Sequence, residues 1–378
     1  MVASKLNLTP TKCSNRCAGE PKPLASKTLI SLDAMGGDHG PSVVVPGIKA
    51  YRARFGGEQV HFHLHGDEAL IRAEMDKHGL TDADCTIFHT DKVVAMDEKP
   101  AQAMRRGKGS SMWNAIEAVK TGAAQAVVSA GNTGALMAIS KLQLRMAATG
   151  LERPAIVASW PTLRGTTAVL DVGANIGSDA KQLVEFAIMG EAFQSAVHGI
   201  EKPTVGVLNV GSEEMKGHDE VREAHAMLRS GHLPINYYGF VEGDDIAKGT
   251  VDVIVTDGFT GNIALKTAEG TARFIGTLLK DALKSGLQSK IGALIAMPAL
   301  KKMSRKIDPS TVNGGPLLGL NGLVVKSHGG ATAEGFGNAI RVAVDLARSD
   351  YLSKVGTNLA RMAEMADMGA KTDGGVDE

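Results

Sequence analysis

The chain has 378 residues, 43% hydrophobic and 22% charged, with 41 basic and 41 acidic side chains and no formal net charge. Its length exceeds one usual core and points to two lobes or one large domain. The charge balance excludes a global field that would recruit nucleic acid, and the 4% aromatic content argues against a base-stacking platform.

Residues 1–26 are polar, rich in Lys and Ser, and lack the apolar segment of a secretory signal. They read as a disordered extension, in preference to a transit peptide. Cys13 and Cys17 lie there, and Cys85 stands alone in "TDADCTIFHT". That is no disulfide framework and fits a reducing cytoplasm. Cys85 reads as a buried structural thiol. No apolar run reaches the roughly 20 residues that a membrane span requires.

From Lys27 onward one pattern repeats. A short apolar run ends in a glycine-containing polar loop, and a helix-like stretch follows. "KTLISL" leads into DAMGGDHG and a helix over 42–55. "VHFHLHGD" is a strand that sets His61, His63 and His65 on one face. Lacking a Cys or carboxylate partner at diagnostic spacing, it reads as a half-exposed face rather than a metal site. The stretch 99–112 holds Lys99, Arg105, Arg106 and Lys108, then Ser110 and Ser111. It is either a solvated basic loop or a cationic arm over an anionic substrate. "AQAVVSA" leads into 131-GNTG-134 and a helix over 135–147, and "TTAVL" into 171-DVGANIGSD-179 and a helix over 180–193. "PTVGVLNV" leads into 211-GSEEMKGHD-219 and a helix over 220–230, and "VDVIVT" into 257-DGFTGN-262 and a helix over 263–283.

The segment 283–315 breaks the pattern with Gly286, Gly292 and Pro298, and its part 283–310 reads as an inserted helical arm. The arm combines Leu287, Ile291, Leu294 and Ile295 with Lys301 and Lys302. It is too short to span a bilayer. An amphipathic basic hairpin of this kind suits an anionic membrane surface, and a dimer contact is the plainer alternative. "STVNGGPLLGLNGLVVKSHGG" resumes a glycine-punctuated strand, and 333–352 has apolar positions at helical spacing. Residues 355–378 read as the end of that helical region and a loose tail.

Continuous apolar strands are buried on both faces, and their alternation with helices predicts a mostly parallel α/β sheet over 27–354. Loops leaving the carboxyl ends of such strands form the ligand crevice, so the glycine loops are predicted to open on one side. GNTG, DVGAN and DGFTGN each offer backbone N–H groups at a helix start, where anions bind. Helix capping is the bland reading of any one of them. Three together favour a phosphate or carboxylate site built from Gly131, Thr133, Gly134, Asn175, Asp257, Thr260, Gly261 and Asn262, with Lys108 and Ser110 from the basic stretch. The G-x-x-x-x-G-K-[ST], G-x-G-x-x-G, H-E-x-x-H and G-x-S-x-G patterns are absent. That lowers the ATPase, Rossmann dehydrogenase, zinc protease and serine hydrolase readings.

LDAMGGDHGP, SAGNTGAL, LDVGAN, VDVIVTDGFTGNIALKTAEG and GPLLGLNGLVVKSHG, in that order, closely resemble the PlsX family of bacterial phosphate acyltransferases, from about Thr28 to about Tyr351. The resemblance implies a three-layer αβα sandwich like the phosphotransacetylases and the isocitrate and isopropylmalate dehydrogenases. It implies that fatty acyl–acyl carrier protein and inorganic phosphate give acyl phosphate, without metal or nucleotide cofactor, for phospholipid synthesis. It further implies a cytoplasmic homodimer on the inner face of the membrane, with a downstream membrane glycerol-phosphate acyltransferase as partner. Phe240 and the Lys and Gly of 326-KSHGG-330 depart from the family pattern.

The expected chemistry is direct attack by phosphate on the thioester. Gly36 and Gly37 let substrate approach the backbone. Lys266, expected in the first turn of its helix, adds charge. Asn132, Asn175 and Asn262 are neutral donors that polarise the carbonyl. His39 or His328 supplies a proton or an oxyanion donor, and Asp33 or Asp38 orients His39. A phosphotransacetylase acting on short acyl-CoA is the alternative.

Overall fold

Strands written in Val, Ile, Leu and Ala can be covered on both faces. In the computed structural model eleven strands form one sheet. The structure describes residues 27–56, 59–148, 151–231, 233, 235–307 and 313–360. The expectations for 1–26, for 308–310 and for the tail beyond 360 lie outside the described residues.

The chain begins β1 (Thr28–Asp33), α1 (Pro41–Phe55), β2 (Val60–Gly66), α2 (Glu68–His78), β3 (Cys85–His89), α3 (Pro100–Arg106), α4 (Ser111–Lys120), β4 (Ala126–Ser129) and α5 (Thr133–Leu144). It continues β5 (Ala155–Pro161), β6 (Thr166–Leu170), α6 (Ala180–His198), β7 (Thr204–Leu208), α7 (Asp219–Arg229), β8 (Asn236–Val241), α8 (Gly243–Lys248) and β9 (Val253–Val255). It closes with α9 (Gly258–Lys284), α10 (Leu287–Ile307), β10 (Gly315–Leu318), β11 (Leu323–Lys326) and α11 (Ala333–Arg348). Residues 351–360 are helical.

The strand order is β3-β2-β1-β4-β11-β10-β5-β6-β9-β7-β8. The five strands from β3 to β11 are mutually parallel, as are β6, β9, β7 and β8. Between them β11–β10, β10–β5 and β5–β6 are antiparallel. The sheet is therefore mostly parallel, but its two wings point in opposite directions. This corrects the expectation that all glycine loops open on one edge. Two hairpins and the antiparallel β10–β5 pairing between them, three reversals in all, cause the inversion. One is β5–β6, closed by Thr162 N–H donating to Gly165 O at 2.9 Å. The other is β10–β11, two strands where the sequence suggested one.

Helices cover both faces, because neighbouring residues of one strand enter different apolar layers. Ala126 and Val128 of β4, and Val253 and Val255 of β9, join the layer formed with α1, α6 and α11. Val127 and Ile254, between them, join the layer formed with α4, α5 and α8. Cys85 on β3 is fully buried, and burial pushes its thiol up to about 12, as a structural thiol requires. His61, His63 and His65 share a face of β2. His65 is more buried than a half-exposed face implies, and its ring stacks on Phe88 at 4.9 Å.

The arm begins earlier than residue 283. In α9 only Gly258 and Gly261 are buried, and the second half of α9 projects together with α10. Leu287, Leu294 and Ile295 are 76%, 73% and 77% exposed, so the hairpin leaves an apolar surface uncovered within the chain.

Glu185 on α6 is buried, and burial pushes its carboxyl up to about 7 despite Lys181 at 3.7 Å. The folded state holds this proton more tightly than the unfolded chain. Its stabilisation is therefore present at low pH and lost as pH rises through about 7. Glu185→Gln, which cannot ionise, should gain melting temperature over the parent at pH 8 relative to pH 5, by thermal denaturation. An equal difference at both pH values contradicts this.

Candidate functional site

At the first edge, the carboxyl ends of β1, β4 and β11 bring three loops together. Asp33 ends β1 and is buried. Ser129 Oγ donates to Asp33 Oδ2 at 2.7 Å and accepts from Gly131 N–H at 3.0 Å. The carboxylate thus fixes the start of GNTG through one hydroxyl. Burial pushes the Asp33 carboxyl above its usual range, against the hydroxyls of Ser129 and Ser111. The loops touch backbone to backbone. A Cβ on Gly36 would lie 2.5 Å from Asp33 Oδ2 and 2.8 Å from Gly131 N, so only glycine fits there. Asp38 N–H donates to Gly329 O at 3.0 Å.

Lys326 ends β11 inside this cluster. Its ammonium donates to Ala130 O at 3.2 Å and to Ser327 O. Burial lowers it to about 8, with Asp33 and Asp38 opposing and Lys266 assisting. His39 and Asp38 are exposed. Among the described residues no carboxylate bonds the His39 ring. His328 is exposed, and its Nδ1 accepts from Gly330 N–H at 3.1 Å.

At the second edge, where β6, β7 and β9 end, a buried carboxylate is again the hub. Asp171 Oδ1 accepts from the N–H groups of Ile156, Gly173 and Ala174 at 3.0–3.2 Å. Its Oδ2 accepts from Asn175 N–H at 2.7 Å and Asn175 Nδ2 at 2.9 Å. Burial raises this carboxyl, against those N–H donors. The loop of DVGAN is therefore an anion nest filled by its own side chain. The start of α9 packs directly on it. A Cβ on Gly261 would overlap Asp171 O, and Gly258 N–H donates to Asn175 O at 2.8 Å. The loop leaving β7 adds Lys216, ion-paired to Glu213 at 2.8 Å.

The helices join the two edges. α5 and the start of α9 contribute to the same apolar layer, through Ala135, Leu136 and Ile139 and through Ala264 and Leu265. They lie on one face, over β11 and over β6, with β10 and β5 between them. α5 starts at the first edge and α9 at the second. Because α9 begins at Gly258, Lys266 lies in its third turn, not the first. Its charge weakly disfavours that of Lys326. Lys266 also pairs with Glu269 at 2.9 Å.

Several predicted donors are committed locally. Asn132 Oδ1 accepts from Ala135 N–H at 3.0 Å, and its Nδ2 donates to Met96 O and Glu98 O at 2.8 and 2.9 Å. Asn175 Nδ2 also donates to Pro154 O at 2.9 Å. Asp257 caps α9, taking Thr260 N–H at 2.9 Å and Thr260 Oγ1 at 2.7 Å. Ser110 is buried and caps α4 at Trp113 N–H. What stays open is the exposed Thr133 and half-buried Gly134 at the start of α5, the exposed Asn262 facing Gly173, and Lys266. Lys108 is exposed and lends only its carbonyl, to Lys92 Nζ at 2.8 Å. Asp171 and Lys326 were not anticipated as hubs. An aspartate ending an apolar strand before Gly-Ala-Asn was the available signal for the first.

A family model described as fatty acid synthesis protein matches residues 28–354. The chain is 65% identical over 343 residues to a phosphate acyltransferase of Caulobacter vibrioides, covering 91% of this chain and 94% of that protein. It is 57% identical over 339 residues to a phosphate acyltransferase of Phenylobacterium zucineum, covering 90% and 95%. Among solved structures, a phosphotransacetylase from Streptococcus pyogenes aligns with a TM-score of 0.56 at 18% identity over 86% of this chain and 95% of that one. The EutD phosphotransacetylase from Staphylococcus aureus gives 0.55 at 15%, over 85% and 94%. These two likenesses are of fold.

Gly261→Ala must push α9 off Asp171. The expected result is loss of thermal stability by several degrees, in line with an overpacking cost of about 1–3 kcal/mol, with turnover falling further than stability. Gly276→Ala, where a Cβ meets nothing within 4 Å, is the control and should leave the fold unchanged. Equal behaviour of the two variants contradicts the contact.

Proposed function

The chain belongs to the PlsX family of phosphate acyltransferases, and from that premise we propose that it transfers a fatty acyl group from the thioester of acyl carrier protein to inorganic phosphate. The products are an acyl phosphate, the activated donor for phospholipid synthesis at a membrane glycerol-phosphate acyltransferase, and the free carrier thiol. The observation that carries the reading is the family match, which spans every glycine-rich loop of both edges.

Phosphate is itself a nucleophile, so the protein's task is to hold it, aim it and stabilise the oxyanion. The N–H groups of Thr133 and Gly134, free among the described residues, suit the phosphate, and Asn262 and Lys266 of α9 offer further donors. One phosphate oxygen attacks the thioester carbon, the carbonyl becomes an oxyanion, and the C–S bond then breaks. The pantetheine thiolate leaves without strong acid assistance, since its pKa is that of an ordinary thiol, and His39 or His328 passes to it the proton that the phosphate gives up. Asp33 acts through Ser129 as a positioning residue for GNTG.

The purified protein, given carrier-bound palmitate and phosphate, should form palmitoyl phosphate, with kcat/KM at least tenfold above that for acetyl-CoA. A preference for acetyl-CoA would favour the phosphotransacetylase reading, and no acyl phosphate from either donor would end both.

The same reading gives a homodimer resting on the inner face of the membrane. Support for the surface is the exposed apolar hairpin of α9 and α10, flanked by Lys290, Lys301 and Lys302. This pattern suits anionic lipid. Leu294→Glu with Ile295→Glu should abolish sedimentation with phosphatidylglycerol vesicles while helicity is kept. Unchanged sedimentation would remove the membrane role.

A further inference from the structure

Lys326 is a half-buried cation at the first edge, and the reaction scheme above does not use it. Its position is defined by three strands. The ammonium ties Ala130 O, just before GNTG, to Ser327 O, just before His328. The loop of β1 is pressed against both, through Gly36 on Gly131 and Asp38 on Gly329. An ammonium has three N–H donors. Among the described residues two are used, which leaves one. A bound anion supplies the acceptor that the third N–H lacks.

We propose that Lys326 holds a phosphate group where the loops leaving β1, β4 and β11 meet. This rests on the acyl-to-phosphate reading for its substrate and not for its geometry. The group is either inorganic phosphate or the phosphodiester of the pantetheine arm, which present the same oxygens. Burial, which holds Lys326 near 8, agrees with a cation whose charge is only fully secured by a bound anion. The charged groups facing it are Asp33, Asp38 and Lys266.

The test uses the full chain and its Lys326→Met and Lys326→Arg variants. Calorimetric binding of inorganic phosphate is measured beside KM for phosphate, for the carrier thioester and for an N-acetylcysteamine thioester, which has no phosphodiester. If inorganic phosphate is held, Lys326→Met weakens its binding and raises its KM at least tenfold, and Lys326→Arg recovers most of the loss. If the phosphodiester is held, only the KM for the carrier thioester rises tenfold. Either result supports the site. Unchanged phosphate binding with unchanged KM values overturns it. So does an equal fall in kcat alone for both variants, the mark of a structural tie. Should Lys326→Met not fold, the parent protein decides. If inorganic phosphate is held, its binding must weaken as pH rises through about 8; if the phosphodiester is held, the KM for the carrier thioester must rise there while that for the N-acetylcysteamine thioester does not, and the absence of both changes overturns the proposal. Calorimetry needs no turnover. A protein that binds phosphate through Lys326 but makes no acyl phosphate would fail the activity reading and keep this one.

Discussion

A sheet whose strands all ran one way would place every strand-end loop of this chain on one edge. The antiparallel pairings β11–β10, β10–β5 and β5–β6 prevent that. They turn the second wing over, so α5 and α9 start at opposite edges and lie head to tail on one face, above β10 and β5. The candidate site residues are therefore divided between two edges. α9 sets Asn262 beside Gly173 and carries Lys266 one turn further on. The register of β10, four residues long, sets how far apart the two loop groups stand.

Within that frame, buried carboxylates decide which N–H groups remain for a ligand. Asp171 fills the DVGAN nest, and Asp257 fills the start of α9. Burying Asp171 is costly, and the N–H donors around it offset that cost, whereas Asp257 is only half-buried. Asp33 differs. It spends one oxygen on Ser129, which passes the constraint to Gly131 and leaves the N–H groups of Thr133 and Gly134 unoccupied. The first edge is thus the better place for a foreign anion, and it is also where Lys326 lies.

Much of this was legible in the sequence. Apolar runs such as "AQAVVSA" and "VDVIVT" announced buried strands, and each was followed by the helix its loop predicted. The reversal was not read, although "WPTLRGTT" carries the mark of a hairpin, a polar turn with glycine between two strand-like runs. "GPLLGLNGLVVK" hid a second reversal behind its glycines, which one strand with a bulge also explains. The arm's start was missed because "ALKTAEGTARFIGTLLKDAL" has a core-like apolar stripe, and nothing local says that it stays uncovered within the chain. Side-chain roles were least legible. Asn132, Asn175 and Asp257 are of residue types that serve both as caps and as ligands, and only the geometry tells which they do. Lys326 stood out only as a departure from a family pattern.

In the proposed reaction phosphate attacks the thioester directly while the protein holds and positions it. The one free cysteine in the described core, Cys85, is buried on β3 with its thiol pushed up to about 12, which unfits it as a nucleophile. Intact-protein mass spectrometry after mixing with palmitoyl carrier protein in the absence of phosphate tests the claim most directly. The account gives an unmodified chain and no free carrier thiol until phosphate is added. A stoichiometric palmitoyl adduct with a matching burst of thiol would contradict it.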